Sequence, residues 1–289
     1  MTSLGTDHDG GRTVRIGDRD IYFDEFGAGP PVLLLHGGGP GASGLAAYAH
    51  NVEALARRFH VIVPDMPGYG RSAKRIDPAD PFGDLAAAMT GLLDALELSS
   101  AHVVGNSYGG AAALRLAMDR PEKVDRLVLL APGGIGTTRA LPTAGLRALL
   151  AYYGGEGPSR DKLATFMREY LVHDPAAVTD EMIENRYRAS LDPEVVANPP
   201  LRRPSGPSAP RTLLRMDLTR DSRLRRVAHP ALVIWGAQDK VNRPAGAQLL
   251  ARRMPRCDVY LPAATGHWVQ GERPRLFNSL ATAFLAGDP

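Results

Sequence analysis

The chain is 289 residues long, enough for one large domain carrying an insertion or for two average domains. Its 44% hydrophobic and 22% charged residues are ordinary globular usage, which excludes wholesale disorder and a coiled coil. A formal net charge of +3 points to no particular partner, and a single cysteine, Cys257, excludes an internal disulfide and a zinc site of several thiolates. Arginines gather between Arg202 and Arg226, yet no aromatic residue lies from Leu201 to Arg226 to stack a base. That stretch reads as a solvated basic surface, and no nucleic-acid partner is expected. No run of 18 apolar residues occurs, and the opening, 1–12, is polar and irregular without the apolar stretch of a secretion signal. The expectation is a cytoplasmic protein with no membrane partner.

In chain order, 13–16 and 20–26 predict two short strands joined at Gly17-Asp18, an edge hairpin. The continuous apolar run 32–35 is what a strand buried on both faces requires, and it breaks into His36-Gly37-Gly38-Gly39-Pro40-Gly41. A helix over 44–58 and a strand at 61–63 follow, then a helix around 85–96, a strand at 102–104, a helix over 108–118 and a strand at 127–130. This alternation predicts an α/β fold with a mostly parallel, twisted sheet and helices on both faces. From Gly133 to about Arg226 helical patterns and proline-rich breaks replace the alternation. The expected division is therefore 1–134 for the first part of the α/β core, 135–226 for an inserted helical lid, and 227–289 for the rest of the core.

Within the lid, Leu163, Phe166, Met167, Tyr170 and Leu171 recur at helical spacing, an apolar face for packing against the main domain. The proline-rich stretches 198–200 and 203–210 cannot sustain helix or central strand and predict a mobile loop. Alternation resumes with a strand at 231–235, a helix near 245–253, a strand at 258–261 and a closing helix near 274–284.

Two glycine motifs compete for the chemistry. Gly39-Pro40-Gly41-Ala42-Ser43-Gly44 fits GxGxxG after a strand and before a helix, with Asp65 ending the next strand, the pattern of a dinucleotide site. Pro40 removes an amide from any phosphate cradle, however, and this reading leaves the later motifs unexplained. The turn serves better as a source of backbone amides facing a developing negative charge. Gly105-Asn106-Ser107-Tyr108-Gly109 fits GxSxG between a strand and a helix, where a sharp turn exposes the serine at the carboxyl edge of the sheet. Taken alone, Ser107 would also suit a helix N-cap.

Downstream residues complete a set in the order serine, acid, histidine. Trp235-Gly236-Ala237-Gln238-Asp239 places a carboxylate just after a strand, and Gly266-His267-Trp268 places an imidazole in the loop after the next. His267 would take the proton from Ser107 as it attacks, while Asp239 fixes the imidazole tautomer and stabilises the imidazolium. Asp217, Asp221 and Asp258 are rival acids without so clear a strand-end placement. The backbone amides of Tyr108 and Gly38 would form the oxyanion hole. No metal and no cofactor enters this chemistry. A helix over 179–191 would put Met182, Ile183, Arg186 and Ala189 on one face and leave Glu184 and Arg188 as an exposed pair. Arg186 then points inward, where its planar fork needs an anion, a substrate carboxylate or a core acid; the other reading is a surface arginine that snorkels to solvent.

With these residues the chain resembles the α/β-hydrolases over most of its length, and more narrowly the meta-cleavage product hydrolases. The narrower resemblance rests on His36-Gly37-Gly38-Gly39-Pro40-Gly41-Ala42, Gly105-Asn106-Ser107-Tyr108-Gly109-Gly110, Ala131-Pro132-Gly133-Gly134, Trp235-Gly236-Ala237-Gln238-Asp239 and Gly266-His267-Trp268-Val269-Gln270. It implies hydrolysis of a carbon-carbon bond in a 2-hydroxy-6-oxohexa-2,4-dienoate, the ring-opened product of extradiol catechol cleavage. It also implies that Arg186 binds the dienoate carboxylate, that Asn106, Trp268 and Gly37 contact substrate, and that no cofactor is needed. A homodimer or higher homo-oligomer is usual in that family. The chain departs from the pattern at Ala47, where an asparagine is frequent, at Leu45, where a tryptophan is frequent, and in the proline-rich 198–210. A carboxylesterase or lactonase of the same fold, and a non-catalytic binding protein, are the other functions this sequence admits. Haloalkane dehalogenation, which needs an aspartate nucleophile, is excluded by Ser107.

Overall fold

A computed structural model describes residues 10–287. The irregular opening expected over 1–12 falls outside the described residues as far as residue 9, and by Arg12 the chain is in its first strand. The strands are β1 (Arg12–Ile16), β2 (Arg19–Phe26), β3 (Pro31–Leu35), β4 (His60–Pro64), β5 (Ala101–Asn106), β6 (Val124–Leu130), β7 (Ala231–Ile234) and β8 (Cys257–Tyr260). They form one sheet in the order β1-β2-β4-β3-β5-β6-β7-β8. The β1-β2 hairpin and the β2-β4 pair are antiparallel, and every pair from β4 to β8 is parallel.

Alternate residues of the central strands enter opposite faces of the sheet. Leu33, Leu35, Ile62, Val103, Leu127 and Leu129 pack on one face, and Val32, Leu34, Val61, Val63, Val104, Val128 and Leu130 on the other. Both faces are covered, which is why these strands read as unbroken apolar runs. The helices outside the lid are α1 (Gly44–Tyr48), α2 (Val52–Ala56), α3 (Pro81–Ala95) and α4 (Tyr108–Asp119) before it. The lid carries α5 (Ala144–Ala151), α6 (Arg160–Thr165), α7 (Asp180–Ser190), α8 (Pro193–Ala197) and α9 (Ala209–Met216), and α10 (Ala245–Ala251), α11 (Val269–Glu272) and α12 (Pro274–Ala286) follow it. Side chains of α3, α4 and α10 cover the first face, and those of α1, α2, α11 and α12 the second. The single helix expected over 44–58 is instead two short ones. At the break Asn51 turns its side-chain amide inward, donating to Gln270 O and to Asn278 Oδ1.

Among the described residues no strand lies between β6 and β7. The helices there gather Leu149, Leu163, Phe166, Met167, Leu171 and Ile183 into a cluster of their own, closed from the core side by Val241. The stripe through residue 171 therefore packs largely within the lid and not, as its spacing suggested, against the main domain. Its helix also widens into a π turn over Phe166–Leu171, which leaves Tyr170 only half-buried. Ala189 is exposed, unlike Ile183 on the expected inward face; at this end of α7 the neighbouring Ser190 is the buried residue, its hydroxyl 2.7 Å from that of Tyr152. The stretch 198–208 is irregular, but α9 begins at Ala209, inside the segment expected to exclude helix. Pro210 sits in the first turn of α9, where its missing N–H removes no helical bond. No described helix is long and apolar enough to cross a membrane.

Candidate active site

Ser107 alone separates β5 from α4, and its φ of 52° and ψ of −111° lie outside the regions a side chain prefers. The surrounding chain holds it there. Ser107 N donates to Leu130 O at 2.9 Å, Gly133 N donates to Ser107 O at 2.7 Å, and Gly109 N donates to His36 O at 3.1 Å. Strand and helix cross so closely that a Cβ on Gly105 would lie 2.5 Å from Gly109 O, and one on Gly109 would lie 2.4 Å from Leu35 O. Both glycines of the motif are thus required by space. The hydroxyl makes no cap bond, so the helix N-cap reading fails.

Ser107 lines a cavity of about 350 Å³ together with Gly37, Gly38, Gly39, Asn106, Arg186, His267 and Trp268. In this structure the described residues give its hydroxyl no hydrogen-bond partner, His267 included. The imidazole and the acid are in direct contact: His267 Nδ1 lies 2.7 Å from Asp239 Oδ2, and both side chains are buried. Asp239 Oδ2 also accepts from Trp235 Nε1 at 3.0 Å, and Oδ1 accepts from Val241 N at 2.7 Å and Asn242 N at 2.9 Å. Four donors leave the carboxylate one orientation and hold the His267 proton on Nδ1. The histidine loop is anchored to the lid, since His267 N and Trp268 N both donate to Leu171 O at the end of the π turn. Glu272 reinforces this with acceptor oxygens for His173 N, Asp174 N and Gly266 N.

None of the three rival acids competes for this place. Asp217 is buried elsewhere and accepts from Gly136 N, from Thr138 N and Oγ1, and from Thr219 N and Oγ1. Asp221 pairs with Arg223, and Asp258 lies within β8.

Gly38 is buried directly against Tyr108, whose Cβ would lie 3.0 Å from a Cβ on Gly38. Among the described residues neither Gly38 N nor Tyr108 N donates to a protein acceptor. Two unspent amides beside the serine are the composition of an oxyanion hole. His36 organises the turn. Met66 N donates to His36 Nε2 at 3.0 Å, so the ring proton is on Nδ1, which lies 2.9 Å from Gly37 O. Burial keeps this histidine neutral by lowering its pKa, against the opposing pull of Asp65.

Arg186 reaches the same cavity from α7. Its Nε donates to Pro40 O at 3.0 Å, and no carboxylate among the described residues pairs with the guanidinium. Burial pulls its pKa down to about 10, opposed in part by Tyr153, Tyr152 and Tyr69, so it remains a cation at neutral pH. Lid and turn touch without slack: a Cβ on Gly39 would lie 2.3 Å from Arg186 Nη2, and one on Gly41 would lie 1.9 Å from Arg186 O. Asn106 spends its side-chain amide on Leu130 O and His267 O, which leaves its oxygen on the side of Gly37. Trp268 is held by Nε1 donating to Ala47 O at 3.3 Å. The motifs did not mark Leu149, Phe166, Met167 and Leu171 as cavity lining; their helical spacing signalled only burial. Nor did they mark Tyr69, Tyr152 and Tyr153 around Arg186, which no local pattern could have assigned.

Residues 30–274 match the alpha/beta hydrolase fold family. The chain is 34% identical to a 2-hydroxy-6-oxo-6-phenylhexa-2,4-dienoate hydrolase of Burkholderia cepacia over 271 residues, 92% of this chain and 91% of the relative. A 2-hydroxy-6-oxononadienedioate/2-hydroxy-6-oxononatrienedioate hydrolase of Comamonas testosteroni is 33% identical over the same shares of the two chains. A solved meta-cleavage product hydrolase variant from Pseudomonas fluorescens IP01, complexed with acetates, superposes with a TM-score of 0.82 at 29% identity, covering 96% of this chain and 98% of its own. The chain belongs to the alpha/beta hydrolase family and, within it, to the meta-cleavage product hydrolases.

Proposed function

We propose that this enzyme hydrolyses a carbon-carbon bond in 2-hydroxy-6-oxohexa-2,4-dienoates, the ring-fission products of aromatic catabolism, with Ser107 as nucleophile. The observation that carries the reading is Arg186, a half-buried guanidinium with no carboxylate of its own in the cavity that Ser107 lines. A substrate carboxylate supplies the missing anion, and a planar fork suits it. In the reaction the dienol first ketonises with help from His267, moving its hydroxyl proton to C5. Ser107 then attacks the C6 ketone, its proton passing to His267, and the alkoxide takes the amides of Gly38 and Tyr108. Cleavage of C5–C6 leaves its electron pair as a dienolate, which takes the proton from His267 and departs as 2-hydroxypenta-2,4-dienoate; water deprotonated by the freed His267 then hydrolyses the acyl-serine to a carboxylic acid, the proton returning to Ser107. Gly37, Asn106 and Trp268 complete the wall on the substrate side, and the Ser107–His267 bond closes in the substrate complex. A homo-oligomeric assembly and a cytoplasmic location, in which Cys257 stays a thiol, belong to the same proposal.

Mixing the protein with a coloured ring-fission dienoate tests this directly. Its visible absorbance is expected to disappear with wild type and to persist with Ser107→Ala, which still binds the compound. Rapid turnover of aryl esters with no loss of dienoate colour would transfer the site to an esterase, and equal turnover by Ser107→Ala would remove the nucleophile assignment.

A further inference from the structure

The turn from Gly37 to Gly41 has almost no side chains, so hydrogen bonds to its carbonyls determine its shape. Four are held. Gly37 O meets His36 Nδ1 at 2.9 Å, Gly38 O accepts from the Tyr69 hydroxyl at 3.0 Å, Gly39 O accepts from Ala42 N at 3.1 Å, and Pro40 O accepts from Arg186 Nε at 3.0 Å. Each carbonyl fixes the peptide plane that carries the next amide. His36 therefore sets the plane of the Gly38 amide, and Tyr69 sets the plane after it. Gly38 can point its N–H at a reacting oxygen only while both flanking planes stay fixed, because a glycine rotates about both dihedrals at little cost.

Tyr69 does not line the cavity, and no catalytic motif includes it. It is nevertheless buried, gripped edge-on by His36 at 5.1 Å and by Tyr108 at 6.4 Å between ring centroids. Its oxygen lies 3.0 Å from where a Cβ on Gly38 would stand. Burial raises its pKa well above the ordinary tyrosine value, so it remains a donor throughout the working range.

We propose that Tyr69 is a positioning residue for the oxyanion hole: its hydroxyl, bonded to Gly38 O, keeps the Gly38 amide aimed beside that of Tyr108. This rests on the reading of Gly38 and Tyr108 as oxyanion donors. Without the hydroxyl, Gly38 O is buried with no donor and the Gly38–Gly39 plane turns to find one; because both ends of the turn are anchored, that turn changes the Gly38 dihedrals and tilts the preceding plane, which carries the Gly38 N–H, off line. Displacements of this kind near a reacting centre are expensive in rate.

The test is Tyr69→Phe, which removes one oxygen and leaves the ring packing. The expected result is a fall in kcat of about tenfold or more, with KM changed less than about twofold. The fall should be the same for a dienoate and for a p-nitrophenyl ester. Affinity for phenylboronic acid, whose tetrahedral adduct on Ser107 presents an oxygen to the amides, should drop in parallel. Dienoate affinity should be equal in Ser107→Ala with and without the second change, and the thermal midpoint should stay near that of wild type. Unchanged kcat and boronate affinity would overturn the proposal, as would an equal loss in dienoate binding, which marks a merely structural residue. If wild type hydrolyses the ester and not the dienoate, the proposed carbon-carbon activity fails, while the ester and boronate arms still decide the role of Tyr69.

Discussion

In the proposed reaction, substrate choice turns on one cation. Arg186 is half-buried without a carboxylate, a costly arrangement eased here by its Nε donating to Pro40 O. The remaining fork is free for an anion. A charge-assisted hydrogen bond of this kind contributes about 1.5–3 kcal/mol. Arg186→Gln is accordingly expected to raise KM for a dienoate by about 10- to 100-fold, and KM for a neutral aryl ester by less than about threefold. Only the protonated guanidinium holds the carboxylate, and its pKa lies at about 10. In wild type the dienoate KM should therefore climb as the pH rises through that value while the ester KM stays level. Steady-state kinetics with both substrates across that range check this, and parallel changes would remove the anion-binding role. Ala47 offers Trp268 its backbone oxygen and offers the cavity only a methyl. The polar load of the carboxylate end thus falls more heavily on Arg186.

At the scale of elements, the lid is fastened to the core by carboxylates that catalysis does not use. Glu272 ties the end of the π turn to the loop of His267, so lid geometry positions that imidazole. Asp217 fastens the chain after β6 to the returning end of the lid through three donors, Gly136 N and Thr138 N and Oγ1, and is itself held by Thr219 N and Oγ1 in its own turn. Burial alone would raise the Asp217 pKa, but the bonds from Thr138 and Thr219 outweigh it and hold the group below the ordinary aspartate value. A carboxyl depressed in this way contributes stability that is present above its unfolded pKa, about 3.9, and is lost as the pH falls through the folded value. Asp217→Asn presents an NH₂ to groups that are themselves donors, and should cost about 1–3 kcal/mol at neutral pH. Urea unfolding of both proteins should show this gap narrowing as the medium is acidified below about pH 4. A gap independent of pH would mean that packing, not the charge, makes the clasp.

For the molecule as a whole, the lid cluster takes in Val241 from the core and touches Trp268 beside the base, so lid and sheet share side chains. One thermal transition is therefore expected, and two would show a lid that melts by itself. A dienoate at about 100 times its Kd should stabilise Ser107→Ala by about 2.7 kcal/mol. In a chain of this length that is a rise of about 4 °C in Tm, and adding Arg186→Gln at the same dienoate concentration should cut it to about 1–2 °C.

The order of residues alone settles the sheet, because strands buried on both faces must be short apolar runs, and 32–35, 61–63, 102–104 and 127–130 are such runs. It also singles out Ser107, Asp239 and His267, since each follows a strand in the order this fold uses and each has glycine close by in its motif. Folding in three dimensions decided the rest. Asn51 ended a helix by bonding residues more than two hundred positions away, the stripe through Leu171 found its partners within the lid, and Ala189 emerged into solvent. The hold of Tyr69 on Gly38 spans 31 residues, and that of Arg186 on Pro40 spans 146. Periodicity reports which way a side chain faces its own element, whereas a hydrogen bond between distant segments exists only once packing has brought donor and acceptor together.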